Sequence, residues 1–248
     1  MTASSARPSS GSEPPLALEA GDLHLWVCRA RAVADSLALA RVVLSRYAGA
    51  EPGAWRFEKG CHGKPALVGA PRPLDFNLSD SGDWRVCAVT AGTAVGVDLE
   101  HSDSRRDVMK LARRFYDPAE VAALEACVPA GEQRSRFYDY WTLKEARVKA
   151  QGLALGPALA SLVFELDFPA GAPGEGGAGT ISEAVPGEPL GAHYCLLDLA
   201  PGYRLATCWL KPAGILPRLR LFHWCPAAGA RPLVRPMRAA SAPVELPA

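Results

Sequence analysis

The sequence has no long apolar run. No stretch reaches the roughly 18 uninterrupted apolar residues of a membrane-crossing helix, and the opening MTASSARPSSGSEPP carries one Arg with no apolar segment behind it. Neither an export signal nor a membrane anchor is therefore expected. Paired cysteines are also lacking: Cys28, Cys61, Cys87, Cys127, Cys195, Cys208 and Cys225 are scattered without a C-x-x-C element. An odd total in a chain of 248 residues does not read as a disulfide framework, so reduced, mostly buried thiols and a cytoplasmic setting are the expectation. Finally, neither charge sign is in excess. With 27 Lys and Arg against 26 Asp and Glu, the net charge of +1 excludes global electrostatic steering and leaves recognition to local patches.

Apolar residues are plentiful, at 49%, enough for a sizeable core. Residues 1–20 are rich in Ser, Pro and Gly and are expected to be disordered. A strand is predicted at Leu23 to Cys28, and a helix from about Ala32 to Tyr47, closed by Gly49, with Val33, Leu37, Ala40, Val43 and Leu44 at helical spacing. Short strands follow around Trp55 to Phe57, Trp84 to Thr90 and Thr93 to Leu99. The second half repeats the plan: a helix from Arg105 to Phe115 broken at Asp117-Pro118, a longer one from Glu132 to Lys149 ending near Gly152, then strands at Leu162 to Leu166, Tyr194 to Leu199 and Arg204 to Leu210. The Gly-rich segment 169–191 reads as a loop.

This order predicts an α+β fold of two pseudo-symmetric halves, residues 21–97 and 98–212, each a helix packed on a small antiparallel sheet. Residues 213–248 turn to Pro, Ala and Arg. With Arg218, Arg220, Arg231, Arg235 and Arg238 and little aromatic interleaving beyond Phe222 and Trp224, they read as a mobile basic tail, not a nucleic-acid domain.

Three segments carry candidate chemistry. In VGVDLE, Val95 to Glu100, the period of two puts Asp98 and Glu100 on one face of a strand, about 7 Å apart, where two hard oxygen ligands suit a small dication. A solvated acidic face gives the same pattern. In WTLKEARVKA, Trp141 to Ala150, Glu145 lies at i+4 from Trp141 on a stripe with Phe137 and Val148, and Lys144 and Lys149 flank it. An ordinary Glu145/Lys149 surface pair remains open. In FNLSDSGDW, Phe76 to Trp84, Ser79 and Ser81 are either ligand-binding hydroxyls or turn residues. His62, His101, His193 and His223 show no metal spacing, and Trp209 reads as core.

Taken in order, Gly63-Lys64-Pro65, Phe76 to Gly82, Val95 to Glu100 and Trp141 to Lys149 resemble the motifs of the surfactin-type 4′-phosphopantetheinyl transferases, and Phe115 to Glu120 looks like that family's F-x-x-x-x-E segment. The resemblance spans about residues 55 to 167. It implies a monomeric magnesium enzyme that moves the phosphopantetheine arm of coenzyme A to a carrier-protein serine, with its active site in a cleft between the halves. Carried over residue by residue, it makes Asp98, Glu100 and Glu145 the ligands of Mg²⁺, with Mn²⁺ also acceptable. Lys144 and Lys149 then neutralise phosphate charge, Ser79 hydrogen-bonds a phosphate, Gly63, Lys64 and Pro65 line the adenine and ribose pocket, and Glu145, or a water it orients, deprotonates the serine.

Two departures stand out. Asp80 replaces the family's usual His, and the Arg- and Phe-rich stretch that usually follows the first strand is missing, leaving Arg29 and Arg31 nearby. A preference for dephospho-coenzyme A, or a degenerate copy that binds carriers without modifying them, are the rival readings. The expected carrier-docking face is Arg106, Lys110 and Arg113.

Overall fold

Alternating apolar residues make a strand of Asp22–Arg29 (β1), and a stripe of Leu39, Ala40, Val43, Leu44 and Tyr47 makes a buried face on the helix Ser36–Ala48 (α1). Asp35 caps that helix by accepting from Ala38 N–H, and Gly49, at φ 62°, ends it in the left-handed conformation that glycine tolerates best. A computed structural model describes residues 15–60, 63–103, 105–169, 178–184, 191–211, 215 and 217–245.

The chain continues through a hairpin, Arg56–Lys59 (β2) and Pro65–Val68 (β3), to Asp75–Ser81 (β4), Trp84–Thr90 (β5) and Val95–His101 (β6). Helices Val108–Phe115 (α2), Pro118–Glu125 (α3), Ala130–Gln151 (α4) and Leu155–Ser161 (α5) follow. Strands Phe164–Asp167 (β7), Gly179–Glu183 (β8), Gly191–Ala200 (β9), Tyr203–Lys211 (β10), Arg218–Cys225 (β11), Gly229–Pro232 (β12) and Met237–Ala240 (β13) complete it.

The fold is α+β, in layers. One sheet has the order β12-β11-β1-β5-β4 and the other β6-β10-β9-β13-β8-β7. Leu23, Leu25, Val27, Val86 and Ala88 of the first meet Val97, Leu99, Leu197, Leu205 and Trp209 of the second in a shared core. The outer face of the first sheet is covered by α1, packed on Trp26, Phe76, Cys87 and Val89. The outer face of the second is covered by α4, packed on Tyr194, Leu196, Ala206 and Cys208. The six described cysteines, Cys28, Cys87, Cys127, Cys195, Cys208 and Cys225, are free thiols.

Several expectations need correcting. Segment 213–248 is not a mobile tail where it is described: β11 pairs in parallel with β1, and β13 pairs with β9 and β8, so the segment joins both sheets and makes them mixed instead of antiparallel. The alternation in RLRLFHWC explains this, since Leu219 and Leu221 enter the shared core while Phe222, on the other face, stacks on Trp26 at 4.5 Å. The arginines that suggested a solvated tail are used as clamps. Arg218 meets Asp22 at 2.7 Å and Glu19 at 2.8 Å, and Arg238 meets Asp139 at 2.9 Å.

The disorder expected for residues 1–20 falls partly outside the described residues, at 1–14; beyond them Leu18 is buried and Leu16 N–H donates to Arg46 at 2.7 Å, tying 15–20 to α1. Of the loop expected at 169–191, residues 170–177 and 185–190 are not described, and β8 lies between them. The break at Asp117-Pro118 opens α3, where Asp117 and Glu120 form a reciprocal capping box.

Candidate functional site

Strand β6 alternates between two environments. Val95, Val97 and Leu99 enter the shared core, while Gly96, Asp98 and Glu100 turn to the face under α4. Gly96 lets the helix sit directly on the strand: a Cβ built there would lie 1.9 Å from Ala146 O and 2.5 Å from Ala150 N. That close approach brings one turn of α4, Glu145 and Lys149, down onto the carboxylates. Lys149 Nζ lies 2.5 Å from Asp98 Oδ1 and 3.5 Å from Glu145 Oε2. The surface-pair reading of Glu145 and Lys149 therefore gives way to a half-buried cluster, with the two side chains 14% and 24% exposed.

The electrostatics are those of crowded acids. Burial, then the nearby Asp98 carboxylate, pushes Glu145 up to about 7. Burial and Asp98 likewise raise Glu100 above the usual carboxylate range. Burial opposes the charge on Lys149, but Asp98 and Glu145 outweigh it and hold the ammonium above its ordinary value. One buried oxygen, Asp98 Oδ2, has no hydrogen-bond partner among the described residues. No three-ligand cage of His, Cys, Asp or Glu is drawn up among the described residues. The donors nonetheless fit a hard dication: they are carboxylate oxygens that raise one another, one of them lacks a partner, and such an ion typically takes only one or two protein carboxylates.

FNLSDSG is strand, not turn. Its alternate residues Asn77, Ser79 and Ser81 face β6, and their side-chain oxygens accept from the N–H groups of Val97 at 2.9 Å, Leu99 at 3.1 Å and His101 at 3.0 Å. Three side-chain rungs thus stitch the edge strand of one sheet to that of the other. Ser79 Oγ also donates to Asp98 Oδ1 at 3.1 Å and accepts from Lys149 Nζ at 3.4 Å. Asp80 points the opposite way, exposed, and accepts from Ser36 Oγ at 2.9 Å at the start of α1.

The remaining expected residues are dispersed. Lys64 Nζ donates to Val95 O at 3.0 Å and lies 3.6 Å from Asp75, so the hairpin bearing Gly63, Lys64 and Pro65 docks at the start of β6. Lys144 does not join the cluster. It is fully buried on another side of α4, 2.7 Å from Glu120 Oε2, and donates to Leu159 O at 2.8 Å and to Leu162 O. One residue further along a helix turns the side chain by roughly 100°, so adjacent Lys144 and Glu145 serve different faces. Arg106, Lys110 and Arg113 are exposed, although Arg113 is paired with Glu125 at 2.8 Å.

Other features escaped the sequence. Asn77 and Ser81 were recoverable from the period of two that Ser79 shares. The buried Asp139, which meets Arg204 at 2.6 Å and Arg238 at 2.9 Å, gave no local signal because its partners lie 65 and 99 residues away. The same holds for buried Arg147 and Glu183, 3.0 Å apart.

Residues 94–208 match the 4′-phosphopantetheinyl transferase superfamily, a span that includes β6 and α4. The chain is 40% identical over 114 residues to the 4′-phosphopantetheinyl transferase HetI of Nostoc sp., covering 45% of this chain and 48% of that one. It is 29% identical over 174 residues to the 4′-phosphopantetheinyl transferase Sfp of Bacillus subtilis, covering 70% and 71%. A second B. subtilis 4′-phosphopantetheinyl transferase is 30% identical over 177 residues, again covering 70% and 71%. The chain thus spans about half the length of HetI and more of the Bacillus relatives. With its carboxylate strand and helix inside all but the ends of that shared span, this chain belongs to the 4′-phosphopantetheinyl transferase superfamily.

Proposed function

We propose that this chain transfers the 4′-phosphopantetheine arm of coenzyme A to a serine of an acyl or peptidyl carrier protein and releases 3′,5′-ADP. The observation that carries this reading is the meeting of Asp98, Glu145 and Lys149 beneath α4, with Glu100 beside them on the same strand face. Asp98, Glu100 and Glu145 are the residues to hold Mg²⁺ or Mn²⁺. A bound dication of this kind supplies charge stabilisation on the phosphate oxygens.

The serine oxygen attacks the β-phosphorus of the coenzyme A pyrophosphate, its proton passes to Glu145 or to a water that Glu145 orients, and the bond from phosphorus to the 3′,5′-ADP oxygen breaks with its electron pair. Lys149, charged and half-buried, offsets negative charge on the pyrophosphate as that bond breaks. Lys144 takes a supporting role: paired to Glu120, it anchors the helix that carries Glu145. Gly63, Lys64 and Pro65 flank the donor pocket, and exposed Arg106 and Lys110 suit an acidic carrier surface.

The test is the intact mass of apo acyl- and peptidyl-carrier domains after incubation with the chain, Mg²⁺ and coenzyme A. A gain of one phosphopantetheine, lost with Asp98→Ala or Glu145→Ala, is expected. Wild-type chain that binds these carriers yet adds no mass favours the non-modifying reading.

A further inference from the structure

Ser79 sits where both sheets and the carboxylate cluster meet, and its hydroxyl is fully engaged. Its one proton goes to Asp98 Oδ1, and its oxygen accepts from Leu99 N–H and Lys149 Nζ. A hydroxyl has one donor and two acceptor lone pairs, so none of that capacity is left for a phosphate oxygen. The neighbouring rungs differ in one respect. Asn77 and Ser81 bond the backbone of Val97 and His101, but no bond joins either side chain to Asp98, Glu100 or Glu145.

We infer that Ser79 is a positioning residue for Asp98, not a phosphate ligand: it fixes Oδ1 so that the partnerless Oδ2 is held free for the dication. The proposal rests on the transferase reading for the identity of that ion. Its physical basis is the bond network alone. Asp98 is 2% exposed and its carboxylate can turn about the Cβ–Cγ bond; Ser79 and Lys149 both hold Oδ1, which leaves Oδ2 as the open oxygen. The same serine is the middle rung between β4 and β6, so the spacing of the two sheets is transmitted directly to the orientation of Asp98.

Outer partners of this kind typically change metal affinity by 10- to 100-fold, because they orient the ligand they touch. The experiment measures Mn²⁺ affinity by isothermal titration calorimetry on the full chain, with coenzyme A present and absent, alongside Tm and the KM for coenzyme A. Ser79→Ala is expected to weaken Mn²⁺ binding about tenfold. Ser79→Thr, which keeps the hydroxyl, restores it. Asn77→Ala and Ser81→Ala lower Tm by breaking a rung yet leave the Mn²⁺ affinity at the wild-type value, which separates positioning from general loosening.

A rise in the KM for coenzyme A in Ser79→Ala, with Mn²⁺ affinity unchanged, makes Ser79 a phosphate ligand and overturns the proposal. Equal loss of Mn²⁺ affinity in all three alanine variants also overturns it, by reducing Ser79 to one structural rung among three. Wild-type chain that binds no Mn²⁺ under either condition strikes the metal-dependent transferase reading itself, a failure distinct from both.

Discussion

Gly96→Ala tests whether the site is made by the close approach of α4 to β6. The added Cβ would fall 1.9 Å from Ala146 O, 2.5 Å from Ala150 N and 3.0 Å from Ala146 C, and Cβ contacts below 3.0 Å are essentially never found. These are backbone atoms on both sides, so no side chain can swing aside. Relief of the shortest contact requires strand and helix to part by about 1.1 Å. Moved rigidly along the line of contact, such a separation stretches the 2.5 Å bond from Lys149 to Asp98 beyond hydrogen-bonding range. Overpacking of this type costs about 1–3 kcal/mol of stability, and a displacement of about 1 Å between catalytic groups can cost 10²-fold in rate.

The expected outcome is a soluble protein with a lowered Tm and a loss of kcat about 10²-fold, larger than the stability loss alone explains at a temperature where the variant remains folded. Circular dichroism melting and the carrier mass assay read the two effects separately. A Gly96→Ala protein with wild-type Tm and wild-type turnover refutes the argument that this contact sets the geometry of Asp98, Glu145 and Lys149.

Lys144→Met leaves Glu120 uncompensated where both side chains are at most 1% exposed, so a loss of about 3–5 kcal/mol in urea unfolding is expected. The double variant Glu120→Gln/Lys144→Met recovers much of it, whereas a single variant as stable as wild type refutes the pairing. His24 is buried with Nδ1 2.8 Å from Tyr47 OH, and burial pushes its pKa down to about 4 from 6.5. A depressed folded-state value means that stability is full above pH 6.5 and is lost as pH falls towards 4; between pH 7 and 5 the loss is about 2 kcal/mol, absent in His24→Gln. Identical pH profiles of unfolding free energy for wild type and variant rule this out. Asp80, exposed beside Ser36, is expected to disfavour the 3′-phosphate of coenzyme A, so Asp80→His lowers the KM for coenzyme A but not for dephospho-coenzyme A. A wild-type preference for coenzyme A that this substitution leaves unchanged sinks the idea.

The elements that build the cluster were legible because their signals are local. Leu23 to Cys28, Trp84 to Thr90 and Val95 to Leu99 alternate strictly enough to mark β1, β5 and β6, and Gly49 and Gly152 both stand where helices end in left-handed geometry. Asp98 and Glu145 were placed by period alone: one on the polar face of a strand, the other on the apolar stripe of a helix. Lys144 shows the limit of adjacency in sequence, since its neighbour Glu145 faces the carboxylates while it faces Glu120. Its destination depends on α3 and α5, whose arrangement no local pattern specifies.

The C-terminal segment was misread for a related reason. Arg and Pro dominate its composition, yet what decides its structure is a few apolar residues matched to partners almost 200 residues earlier: Leu219 and Leu221 in register with Leu23 and Leu25, and Phe222 against Trp26. Composition is averaged over a window, whereas a strand is accepted by a sheet residue by residue. Strand β11 extends the first sheet beside β1, and β13 enters the second between β9 and β8, so one covalent segment belongs to both layers. The sheets are joined again at the seam of β4 and β6 by Asn77, Ser79 and Ser81. Held at both places, the two layers have little freedom to slide, and the orientation of Asp98, which depends on a hydroxyl from the opposite sheet, becomes a property of the whole fold.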